Sequence, residues 1–123
     1  MPGPKTFEID EQESGRYQGV IVGNDGLTPL AGATLSTLVL TLYVIKADGT
    51  DTLIRGPQQT ILNANNVTVS AGGLITWLIQ PADTTLVEVV PYERHIALFE
   101  WTWPAGAGKH EVVLIVRNLR RVT

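Results

Sequence analysis

The chain has 123 residues, a net charge of −3, and 44% hydrophobic against 17% charged residues. That size and balance fit one soluble globular domain and exclude a disordered tail, and the acidic net charge provides no basic field for gripping a nucleic acid. There is no cysteine, which excludes disulfides and thiolate metal sites.

The opening stretch MPGPKTFEIDEQESG lacks the apolar run of a secretory signal. The most apolar window, Leu35–Ile45, is far short of a bilayer span and carries Ser36, Thr37, Thr41 and Tyr43. A soluble protein made in the cytoplasm, with no membrane partner, is expected. Residues 1–14 differ in character from the rest. One lysine against four acids (Lys5; Glu8, Asp10, Glu11, Glu13) leaves −3 around Phe7 and Ile9. The pattern predicts an extended N-terminal arm over 1–14 and a single domain over 15–123. The stretch is either a frayed solvated tail or an arm that Phe7 and Ile9 anchor on a neighbour, flanked by Glu8, Asp10 and Glu11. Arg117, Arg120 and Arg121 place +3 at the other end of the chain. Acidic arm and basic end together suit a head-to-tail contact between subunits, the alternative being an arm that grips a different protein while the arginines are solvated.

Arg16–Val22 reads as a first strand, closed by the turn signal Gly23-Asn24-Asp25-Gly26. After a connection over Leu27–Thr34, Leu35–Lys46 is the longest strand, with Leu38, Leu40, Leu42 and Val44 on one face. Asp48-Gly49 marks a type I′ hairpin, and Thr52–Arg55 is the return strand, ended by Gly56-Pro57. Thr60–Leu62 reads as a short edge strand. Val67–Ser70 and Leu74–Ile79 flank Ala71-Gly72-Gly73, and Trp77 shares a core face with Ile75 and Ile79. Pro81-Ala82-Asp83-Thr84 predicts a short helical turn. The stretch His95–Leu119 then holds two alternating apolar runs, HIALFEWTW and HEVVLIVRNL, joined by a six-residue loop, PAGAGK.

Seven or eight short strands with turn signals between them define an all-β chain, a sandwich or a small barrel. Phe99, Trp101, Val112, Leu114, Leu40, Leu42 and Trp77 are its expected core. In the hairpin register that sets Trp103 opposite His110, His95 and His110 lie on the order of 25 Å apart. They cannot share a metal, and each reads as a strand-end surface residue. No GxSxG, phosphate-binding glycine loop or clustered ligand set is present. No catalytic residue, cofactor or metal site is therefore expected, and no enzyme.

From Leu30 onward the motifs LAGATL, ADGT, AGGLITWLIQPADTTL, FEWTW and KHEVVLIV follow one another in an order that resembles a known family. It is that of the immunoglobulin-like N-terminal domain of tailed-phage baseplate upper proteins, together with small virion proteins of the same build. The resemblance implies an immunoglobulin-like antiparallel β-sandwich. It also implies a structural role in the virion, as a decoration, neck or fibre and baseplate adaptor. The implied partners are other virion proteins (capsid, neck, tail or fibre subunits) and further copies of the chain, after synthesis in the host cytoplasm. The competing expectation is a carbohydrate-binding or adhesin-like module, for which Trp103, at the loop end of its strand, is the candidate exposed aromatic.

Overall fold

A computed structural model describes residues 5–10, 13–22, 30, 34–46, 48–88 and 91–118. Eight strands are present: β1 (Lys5–Asp10), β2 (Gly15–Val20), β3 (Thr37–Ile45), β4 (Asp51–Thr60), β5 (Val67–Val69), β6 (Leu74–Ile79), β7 (Tyr92–Trp103) and β8 (Gly106–Arg117). They form a five-stranded sheet in the order β1-β8-β7-β3-β4 and a three-stranded sheet in the order β2-β6-β5. The all-β sandwich expected from the alternation is the fold found, and its strand order is immunoglobulin-like, with β4 extending the larger sheet beyond β3.

Period-two alternation builds the core. Leu38, Leu40 and Leu42 of β3 and Ala97, Phe99, Trp101 and Trp103 of β7 point inward together with Val112, Leu114 and Val116 of β8. Facing them across the sandwich are Tyr17 of β2 and Ile75, Trp77 and Ile79 of β6. All seven residues expected in the core lie there.

The structure corrects four local expectations. The β7–β8 loop is not six residues long. Trp103 pairs with Gly106 across Pro104 and Ala105, and Gly-Ala-Gly-Lys runs on as strand. Glycine is required within it, because a Cβ at Gly108 would lie 2.7 Å from the Trp101 ring. The register therefore moves, and His110 faces Phe99. Second, Gly56-Pro57 does not end the return strand. β4 passes through it as a bulge: Leu42 pairs with Arg55 and Leu40 with Gln59, while Gln58 takes φ 51° and its N–H donates to Thr41 Oγ1 at 3.0 Å. An edge strand tolerates proline at such a bulge, where no partner awaits its missing N–H. Third, Thr60 is the last residue of β4 rather than the start of a separate edge strand. Fourth, Gly49 has φ +87° while Asp48 is not in the left-handed region, so the β3–β4 turn is not type I′.

The largest revision concerns the arm. Residues 5–10 are a strand of the sheet, running parallel to β8 with Lys5 opposite Val112 and Asp10 opposite Arg117. The sandwich is thus antiparallel except for β1. Thr6-Phe7-Glu8-Ile9-Asp10 alternates polar and apolar residues, the local requirement for an edge strand with one face on a core.

Candidate protein–protein interface

Of the residues expected to bind a partner, Glu8, Asp10 and Arg117 are drawn together, but within one molecule. Ile9 is 6% exposed and belongs to the domain's own core. It is therefore not available as an anchor on a neighbour. The Arg117 guanidinium donates to Asp10 Oδ1 through Nη2 at 2.7 Å and Nε at 2.9 Å, with Glu8 at 3.8 Å. Acid and base expected at opposite ends of the molecule thus neutralise each other side by side, because β1 runs parallel to β8. Phe7 lies opposite Leu114 in register, and its side chain is outside the described part. Glu11, Arg120 and Arg121 also lie outside the described residues. Trp103 is 8% exposed and packs in the core, so it is not an exposed aromatic.

His95 is likewise not a surface residue. It is fully buried, with Nδ1 2.8 Å from the Asp83 main-chain oxygen and Nε2 2.7 Å from Glu93 Oε1. The Glu93 carboxylate accepts the N–H groups of Val87 and Glu88, each at 2.8 Å. The expected short helical turn is a 3-10 turn over Pro81–Thr84, and the buried Asp83 is its hub. The Asp83 carboxylate accepts from Arg55 Nη2 at 2.7 and 2.9 Å and from the Gln80 N–H at 2.9 Å. Thr84 Oγ1 accepts the Glu13 N–H at 3.1 Å. This network ties the β6–β7 connection to β4, to β7 and to the segment entering β2. Both nitrogens of His95 are engaged, so neither is left to act as a base or a metal ligand. Among the described residues, no group of three His, Cys, Asp or Glu could hold a metal ion.

The outward face of the five-stranded sheet is different in kind. In register across all five strands run Leu53, Tyr43, Ile96, Val113 and Thr6. Beside that row lie Ile45 opposite Asp51, and Arg94 opposite Ile115. Ile96 and Val113 are buried, Tyr43, Leu98 and Ile115 half-buried, and Ile45 (45%), Leu53 (47%) and Tyr92 (56%) exposed. Burial, then the Glu111 and Asp51 carboxylates, hold the Tyr43 phenol above its ordinary value. Towards the β7–β8 turn the face dips into a trough of about 480 Å³ lined by Thr37, Val39, Glu100, Thr102, Ala107 and Lys109.

An apolar band rimmed by charges has the composition of a docking face, although Val20 and Leu78 of the smaller sheet are exposed as well. Val39, Val113 and Ile115 put apolar side chains on the second parity of their strands. The available signal was that these strands are apolar on both faces although only one face of the sheet meets the core. No protein-family model matches the chain, and no curated protein does.

Proposed function

We propose that this chain is a non-catalytic structural module of a tailed-phage particle, docking on other virion proteins as a decoration, neck or fibre and baseplate adaptor. The observation that carries the docking role is the apolar outer face of the five-stranded sheet, with Ile45, Leu53 and Tyr92 exposed on it. The virion setting rests on the order of motifs from LAGATL to KHEVVLIV, which resembles that of phage baseplate and small virion proteins. The carbohydrate alternative loses its main support with the burial of Trp103.

The test is competitive assembly. Ile45→Asp with Leu53→Asp should leave the purified domain folded, because both side chains are already half in water. The variant's incorporation into particles, against the parent chain, should fall by about tenfold or more. Equal incorporation of the two chains would exclude this face as the docking surface.

A further inference from the structure

β8 has twelve residues, and β1 covers only Val112–Arg117. Along Gly106–Lys109, β7 lies on one side, and among the described residues no strand lies on the other. Every second residue of such an edge turns its N–H and C=O outward, as a template for another strand. The other edges are guarded. β4 carries the Pro57 bulge, β1 carries Glu8 and Asp10, β2 presents Arg16 and Gln18, and β5 is three residues long. The Gly106–Lys109 stretch of β8 has instead Gly106, Ala107 and Gly108, with no side chain larger than a methyl group before Lys109.

We propose that two copies of this chain join through Gly106–Lys109 of β8, antiparallel about a two-fold axis at Gly108, so that their five-stranded sheets become one. Parity and charge narrow the register, and Trp101 selects the centre. A two-fold axis normal to the sheet keeps outer face with outer face, so directly opposed positions must share parity. Centring on Lys109 would set two ammonium groups opposite each other, which is unfavourable. Centring on Gly108 sets Ala107 opposite Lys109 of the partner subunit and the two Gly108 residues together.

Trp101 supports this centre. Its ring crosses β8 at Gly108, where an added Cβ would meet Nε1 and Cε2 at 2.7 Å. Its buried indole N–H has no acceptor among the described residues. The axis brings the two Trp101 rings to either side of the paired glycines. An isologous contact of this kind needs only one edge per chain.

The inference rests on the reading of the chain as an assembly module, but its test uses purified chain alone. Sedimentation equilibrium should show a reversible dimer. Ala107→Arg, facing Lys109 of the partner subunit twice by symmetry, should weaken it by about tenfold, while Ala107→Glu should tighten it. Both positions are exposed, so the variants fold. Because the chain has no cysteine, Ala107→Cys mixed with Lys109→Cys should give the hetero-disulfide in preference to either homo-disulfide. A parent chain that stays monomeric, or a dimer indifferent to both charge variants, overturns the proposal. Either result leaves the competition experiment on Ile45 and Leu53 standing, and the converse holds.

Discussion

The ring of Tyr17 stacks on that of Phe99, centroids 5.8 Å apart and planes 25° apart, across the gap between the two sheets. Trp77 meets Phe99 edge to face, with centroids also 5.8 Å apart. In a sandwich without a cysteine to bridge its sheets, this aromatic triad joins β2 and β6 of one sheet to β7 of the other. Phe99→Ala should therefore destabilise the domain by about 3–5 kcal/mol, measured by denaturant unfolding. A loss below about 1 kcal/mol would show that the triad is not the link between sheets.

Tyr17 also sets an alkaline limit. Burial raises its phenol above the ordinary value near 10. The unfolded chain therefore ionises first, so stability is full below about pH 10 and falls as pH rises towards the folded-state value. Tyr43 is raised in the same sense. Melting temperature followed upward from pH 9 should drop less in Tyr17→Phe than in the parent, and less again in the double variant with Tyr43→Phe. Superimposable profiles for all three proteins would refute this assignment.

Arg55 and Asp83 form a nearly dry pair, their side chains 13% and 2% exposed. Removing only the cation strands a buried carboxylate, so Arg55→Met should cost about 3–5 kcal/mol. Asp83→Ala in that background should add much less than it costs alone. A double-mutant cycle measures the difference, and additive losses would mean that the pair is not coupled.

β1 separates packing from charge. Arg117 is 47% exposed, so Arg117→Ala should change stability by less than about 1 kcal/mol despite its two acidic partners. Ile9→Ala, in the same short strand, should cost about 2–5 kcal/mol. Deletion through Asp10 should consequently lower the melting point sharply, whereas a dispensable arm would leave it unchanged.

What the sequence by itself determined is whatever depends on neighbours a few residues apart. Leu38, Leu40 and Leu42, and likewise Phe99, Trp101 and Trp103, alternate because a strand turns successive side chains to opposite faces, and that parity is visible without a partner. The turn at Asp48-Gly49 and the short helical turn at Pro81 are written in backbone chemistry of the same reach. Tertiary structure decided what depends on distant partners. Asp10 meets Arg117 across 107 positions, so residues 5–10, with their short alternation, their prolines upstream and their acids, became a strand only because β8 offered an edge. Trp103 stands at a loop end by sequence, yet the tight turn after it and the facing sheet enclose it. His95 sits two residues from Glu93 in the strand, but only the docked β6–β7 connection supplies the Asp83 carbonyl that makes it a buried tie. The apolar outer face lay between these limits. Its apolar residues were legible one strand at a time, but the row from Leu53 to Val113 exists only once four strands are in register, because a strand's own sequence does not say which strand lies beside it.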